Sequence, residues 1–148
     1  MSKKEKNIST NPVVIGTCLC QRQIEKIIIP YYEKTINQFD NLRFEYIEKE
    51  NGEMTSDTHN RLLLKIKEKY KNKIKGVVII GSDDILSIVV LKFYNDLKEK
   101  DANSIYGVDR LYIYDSFHNQ MYFARNIDRF KMGAGRFYPL ELLKKVDY

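Results

Sequence analysis

The chain has 148 residues, of which 43% are hydrophobic and 30% charged, and its formal net charge is +5. This length suits a single domain that buries a core without a metal or a disulfide. The composition excludes a disordered or collagenous chain, because both fractions are near the globular average. No apolar run reaches the roughly 18 residues that a membrane span needs.

The N-terminal residues 1–11 are polar and basic and predict a disordered lead, so we expect one folded domain over residues 12–148. No signal-peptide core follows this lead. Cys18 and Cys20 are too close in sequence to close a useful disulfide loop, which favours reduced thiols and a cytoplasmic protein. No second Cys or His pair completes a zinc site, so no metal is predicted, and the sequence names no cofactor.

Apolar runs alternate along the chain with segments of helical periodicity. The predicted elements are, in order, a strand over 12–18, a helix over 21–39, a strand over 43–48, a helix over 58–72, a strand over 76–81, a helix over 85–100, a strand over 109–115, a strand over 121–124 and a short helix over 139–146. This order predicts a three-layer α/β fold, flavodoxin-like or Rossmann-like, with a mainly parallel sheet. The polar turn between the last two strands adds an antiparallel C-terminal hairpin over 110–125.

Two helices carry local predictions of their own. Pro30 lies inside the first predicted helix and is expected to kink or divide it, because proline removes a backbone donor. The oxygens of Ser82, Asp83 or Asp84 are expected to cap the third helix. Its inward face is predicted to consist of Ile85, Ile88, Val89, Phe93 and Leu97.

The best candidate site is the carboxyl edge of the sheet, at the ends of the first and third strands. Ligands of open α/β sheets bind where neighbouring crossovers leave on opposite faces, and we expect such a crevice here. Free backbone N–H groups and an arginine at this edge suit a nucleotide-like or other polar anionic ligand. The predicted ligand-binding residues are Thr17, Cys18, Cys20, Arg22, Ser82, Asp83 and Asp84.

The same residues also have other interpretations. The two thiols can be small hydrophobes at the end of a core strand, and Ser82 to Asp84 can serve only as helix caps. Alternatively, the chain is a hydrolase or transferase that uses Cys18, Asp83 or Asp84, since a thiol at a helix N-terminus can be activated and a carboxylate can act as a base. The sequence does not decide between an enzyme and a binding domain.

A further hypothesis is an interaction module for nucleic acid or protein. The second helix carries a cationic row at four-residue spacing, which can contact a polyanion or can simply be a solvated helix face. The hairpin over 110–125 combines tyrosines with arginines, which suits an interaction surface and also permits a homodimer. The cations of the row are Arg61, Lys65, Lys69 and Lys73.

Overall fold

The computed structural model of the protein describes residues 11–125 and 135–145. Its helices and strands are β1 (Val13–Leu19), α1 (Glu25–Ile36), β2 (Leu42–Glu48), α2 (Thr55–Tyr70), β3 (Gly76–Ile80), α3 (Ile88–Asp96), β4 (Arg110–Asp115), β5 (Gln120–Arg125), β6 (Arg136–Pro139) and α4 (Leu140–Leu143). The predicted alternation of strands and helices is confirmed up to α3. The predicted N-terminal lead, except for Asn11, lies outside the described residues.

A four-stranded sheet forms the centre of the fold, in the order β2-β1-β3-β6. β1 runs parallel to both neighbours, so that Val13 lies opposite Leu42 on one side and Gly76 on the other. All seven residues of β1 are buried, as expected for a parallel strand that is covered on both faces. The mainly parallel sheet is therefore confirmed.

Helices cover both faces of this sheet. On one face, Ile28 and Tyr32 of α1 pack with Leu91 of α3 in one core cluster. On the other face, Leu62 and Ile66 of α2 form the centre of a second cluster, against which α4 packs. The helix pairs α1 with α3 and α2 with α4 thus lie on opposite sides of the sheet.

The edge of the sheet beyond β3 is formed by β6, which the sequence did not predict. β6 pairs antiparallel with β3, with Phe137 opposite Val78. The prediction instead placed no strand between residues 125 and 138 and started a helix at Pro139. A strand of four residues is too short to show a period of two, and only its pairing with β3 defines it.

The third helix begins later than predicted. Its first residue is Ile88, and the side chain of Ser87 accepts the N–H of Val90 as its cap. Capping of this helix by Ser82, Asp83 or Asp84 is therefore wrong. The reason is tertiary, because the N–H of Leu86 is bonded to the hydroxyl of Tyr32 at 2.7 Å.

The inward face of α3 is also different from the prediction. Leu91 and Tyr94 are buried, and Leu97 just after the helix is buried as predicted. The other predicted core residues are all exposed, namely Ile85, Ile88, Val89 and Phe93. Nearly every position from Ile88 to Tyr94 is apolar, so periodicity could not select the buried side.

The first helix and the hairpin complete the fold. α1 continues through Pro30, so the predicted division into two helices does not occur. β4 and β5 form the expected antiparallel hairpin, with Tyr112 opposite Phe123, but as a separate two-stranded sheet and not as an edge of the main one. The aromatic side chains on both of its faces are exposed.

Candidate functional site

The two predicted ligand-binding segments meet at one edge of the sheet. β1 ends at Leu19 and β3 at Ile80, and Ile80 lies beside Thr17 in the parallel register. Just beyond these ends, Nη1 of Arg22 lies 2.5 Å from Oδ2 of Asp83, and both side chains are about half exposed. This ion pair bridges the two segments across the predicted crevice.

The crevice differs from the predicted one in the faces of the sheet on which the helices after β1 and β3 pack. β1 has β2 on one side and β3 on the other, as expected. The helices that follow β1 and β3, however, are α1 and α3, which pack on the same face. The loops therefore do not diverge to opposite faces, which is the geometry that opens a ligand crevice in doubly wound sheets.

Two carboxylates of the chain accept hydrogen bonds from backbone N–H groups at this edge. Glu25, buried at the start of α1, accepts the N–H of Cys20 through Oε1 at 2.6 Å. Asp84 accepts the N–H of Gly81 through Oδ2 at 2.8 Å. An anionic ligand would have to displace these carboxylates to use the same donors.

The two thiols differ in environment. Cys18 is buried and faces α2, and burial together with the neighbouring Cys20 raises its pKa to about 11. It is therefore protonated near neutral pH, which opposes a role as nucleophile. Cys20 is exposed, and its Sγ lies 3.9 Å from the carbonyl oxygen of Cys18.

Two hydroxyl side chains of the predicted site are buried, those of Thr17 and Ser82. Thr17 shares the α1 and α3 face of β1 with Ile15, whereas Cys18 lies on the opposite face. Within the described part of the chain, Oγ1 of Thr17 has no hydrogen-bond partner. A buried hydroxyl without a partner is uncommon, because it has lost its bonds to water.

The cationic row of α2 is largely paired with acids of its own domain. Arg61 contacts Glu53 at 2.7 Å, and Lys65 and Lys69 both contact Glu45 on β2. Arg61 also donates to the carbonyl oxygen of Glu48, and Lys65 to that of Tyr46. The fourth member of the predicted row, Lys73, lies beyond the end of α2 at Tyr70 and is exposed.

The hairpin presents two different faces, because alternate residues of a strand point to opposite sides. We call the first the aromatic face; its members are Arg110, Tyr112, Tyr114, Met121, Phe123 and Arg125. The second face consists of Leu111, Ile113, Asp115, Gln120, Tyr122 and Ala124. The rings of Tyr112 and Phe123 lie 5.1 Å apart on the aromatic face, and Tyr112 is 69% exposed.

An arginine pair lies at the base of the aromatic face. Arg110 and Arg125 are directly opposite each other on the two strands, and both are exposed. Like charges in this position repel each other. Nε of Arg110 lies 3.9 Å from Oδ2 of the neighbouring Asp109.

The turn of the hairpin is held by one carboxylate. Asp115 accepts the N–H groups of Phe117 and His118 through Oδ1, at 2.9 and 3.2 Å. Its Oδ2 lies 2.7 Å from Nδ1 of His118, and the bonds to His118 lower the pKa of Asp115. These contacts order the turn, and they give Asp115 and His118 a structural role that requires no catalytic function.

Sequence reasoning missed one surface, the exposed apolar side of α3.

No family model matches the chain, and no curated protein matches it either. Among the described residues, no group of three His, Cys, Asp or Glu side chains could hold a metal ion. None of the described helices is long and apolar enough to cross a membrane.

Proposed function

We propose that this protein binds single-stranded nucleic acid through the aromatic face of the β4–β5 hairpin. The observation on which this proposal rests is that exposed aromatic rings and two exposed arginines share one side of this hairpin. Single-strand binders combine these two features, since bases stack on aromatic rings while cations contact phosphates. The hairpin lies outside the main sheet, so a single strand of nucleic acid can reach its aromatic face.

The energetics of the hairpin support a ligand on this face. An isolated two-stranded sheet is marginally stable in water, and this one leaves most of its large apolar side chains exposed. A ligand that covers the rings therefore stabilises it. A phosphate between Arg110 and Arg125 also removes the repulsion between the two guanidinium groups.

Nucleic acid is favoured over a protein partner because of the charges on this face. Its two charged side chains are both arginines; Asp115 belongs to the opposite face, and the carboxylate of Asp109 lies 3.9 Å from Arg110. A single strand is favoured over a duplex because the bases of a duplex are already stacked on one another. The cationic row of α2 contributes less to the proposal, since its first three members are paired within the domain.

Adjacent aromatic residues on the two faces of β5 provide a matched test. Phe123 is 54% exposed on the aromatic face and Tyr122 is 48% exposed on the other. We expect Phe123→Ala to weaken binding of a labelled single-stranded oligonucleotide by about 5-fold to 150-fold, because stacking contributes about 1–3 kcal/mol per base. Tyr122→Ala should change affinity by less than about 2-fold. Fluorescence anisotropy measures both.

Salt and a duplex competitor complete this experiment. Affinity should fall between about 50 and 200 mM salt if the arginines contact phosphates. A duplex of equal length should compete poorly. The proposal is wrong if no single strand binds at low salt, a result that would leave a protein as the partner of the hairpin. It is also wrong if both variants lose affinity equally while keeping the native circular dichroism spectrum.

A second candidate function is binding of a nucleotide-like or other polar anionic ligand at the edge between residues 17–22 and 82–84. The observation that favours it is the buried, unpartnered Oγ1 of Thr17 within the described chain. The Arg22–Asp83 pair is exposed, so opening it costs little. No observation on the described residues favours hydrolase or transferase chemistry by Cys18, Asp83 or Asp84.

Thr17→Val tests this second candidate. We expect adenosine monophosphate or orthophosphate to raise the melting temperature of the native chain and to have no effect on the variant. Without ligand the variant should be at least as stable, because it removes a buried hydroxyl that lacks a partner. Asp83→Ala removes a negative charge and frees Arg22, so it should raise the affinity for orthophosphate with little change in melting temperature. A native chain that neither compound stabilises would refute the candidate.

We further propose a flavodoxin-like classification and a cytoplasmic location. The parallel order β2-β1-β3 supports the first, since it matches the start of the flavodoxin strand order, although α3 departs from that fold by sharing a face with α1. The two free cysteines support a reducing compartment.

A further inference from the structure

We infer that two copies of this chain associate through the exposed apolar side of α3, a surface distinct from the hairpin. We call this surface the α3 face and define it by Ile85, Ile88, Val89 and Phe93, all of which are exposed. Val89, near the middle of the face, is 78% exposed. The opposite side of the helix is already in the core, where Leu91 and Tyr94 are buried.

Six of the nine residues of α3 are apolar, which is typical of a largely buried helix. In this chain α3 is covered on one side only, so Ile88, Val89 and Phe93 face water beside Lys92 and Asp96. Monomeric proteins rarely expose large contiguous apolar patches, and those that occur mark interaction sites. Val89 and Phe93 are four residues apart on α3, so their side chains are neighbours, and Ile85 precedes Ile88 just before the helix begins.

The α3 face combines exposed apolar side chains with an adjoining groove. Ile85 and Ile88 are exposed at the amino-terminal end of α3. The open groove of about 550 Å³ has an apolar wall that consists of Val89, Phe93, Leu97 and Tyr106. An antiparallel pair of α3 helices, related by a two-fold axis, places Ile85 and Ile88 of each copy against the groove of the other.

The charges around the groove also indicate a second copy as the occupant. The rim consists of two bases and two acids, namely Lys92, Lys98, Asp96 and Asp101. A two-fold interface presents the same patch on both sides, so it requires a balanced set of charges. A nucleic acid would find no net positive charge here, in contrast to the aromatic face of the hairpin.

Val89→Glu tests the interface by placing a charge at the middle of the α3 face. By sedimentation equilibrium between about 1 and 100 μM, we expect the native chain to reach twice its 17.6 kDa mass. The variant should stay monomeric, with dimer affinity reduced at least about 10-fold, because the carboxylate would be buried between two copies. Ile85→Asp, placed before the helix, should have the same effect.

Phe117→Glu is the matched control, since Phe117 lies in the hairpin turn and is 90% exposed. It makes a similar change from an apolar to an acidic side chain and should leave the dimer intact. A native chain that remains monomeric at about 100 μM would overturn the inference. So would a dimer that Phe117→Glu dissociates and the α3-face variants do not, because the hairpin would then be the interface.

Discussion

Tyr32 holds the connection between β3 and α3 through a single hydroxyl. The O–H donates to the carbonyl oxygen of Asp84 at 3.1 Å and accepts the N–H of Leu86 at 2.7 Å. The ring is fully buried and stacks on Phe44 with 5.0 Å between centroids. Burial raises the pKa of Tyr32 well above its ordinary value, so the hydroxyl stays protonated and able to donate.

Tyr32→Phe should lower the free energy of unfolding by about 1–3 kcal/mol, because it leaves the buried N–H of Leu86 without a partner. Urea unfolding followed by circular dichroism measures this loss. Tyr31→Phe is the matched control, since the half-buried Tyr31 makes one bond to the same segment, to the carbonyl oxygen of Leu86 at 3.2 Å. Its loss should stay below about 1 kcal/mol. Equal losses in the two variants would contradict this role for Tyr32.

Sequence patterns reveal only part of the role of such a residue. The spacing of Tyr32 within its helix correctly indicates a buried side chain. The partner of its hydroxyl lies more than 50 residues away in the chain, on Asp84 and Leu86. No local pattern contains that contact, which is why the start of α3 was predicted too early.

At the scale of elements, α2 and β2 are joined by a buried carboxylate. Glu45 is buried on β2, and its Oε1 accepts hydrogen bonds from Nζ of Lys69 and, at 2.7 Å, from the hydroxyl of Tyr70. Burial alone would raise the pKa of Glu45, but the bonds from Lys69 and Tyr70 and the charge of Lys65 outweigh it and lower the pKa. The cations of α2 thus stabilise the packing of helix on strand.

Acid should therefore destabilise the fold by protonating the carboxylates that pair with the cations of α2. Arg61 lowers the pKa of Glu53 to about 2 from an ordinary 4.5, and Glu45 is shifted in the same direction. As pH falls below about 5, the unfolded chain takes up protons before the folded chain does, so stability decreases towards pH 2. Thermal melts from pH 7 to 3 should show this decrease.

Glu45→Gln should make the decrease between pH 5 and 3 smaller, because one of the shifted carboxylates is gone. It should also lower stability at pH 7, since the buried amide cannot replace the ion pairs with Lys65 and Lys69. Glu68→Gln, on the exposed side of α2, leaves these pairs intact and should not change the profile. A Glu45→Gln profile parallel to that of the native chain would contradict the prediction.

At the scale of the whole molecule, β6 determines how the sheet ends. It runs antiparallel to β3, so the chain reaches it from α3 and the hairpin without a parallel crossover. The close approach requires glycine at the start of β3, because a Cβ at Gly76 would overlap the carbonyl of Tyr138 and the ring of Phe137. In this arrangement α3 lies on the face of α1, and the diverging loops of a doubly wound sheet do not form.

Among the described residues, the aromatic face of the hairpin and the α3 face are both exposed and apolar, and they differ in charge. The aromatic face of the hairpin carries two arginines, whereas the α3 face is bordered by equal numbers of acids and bases. The first suits an anionic partner and the second suits another copy of the chain. The two surfaces belong to different elements, so the experiments on them are independent.

The sequence by itself determined β1, β2, β3, α2 and the hairpin, because apolar runs, helical periodicity and turn residues are local signals. It also brought Arg22 and Asp83 to one edge of the sheet, through the parallel order of the strands. Only the tertiary structure decided the start and buried side of α3, the pairing of β6 and the partners of Lys65 and Lys69. Each of these depends on contacts between residues far apart in the chain, which composition and spacing do not encode.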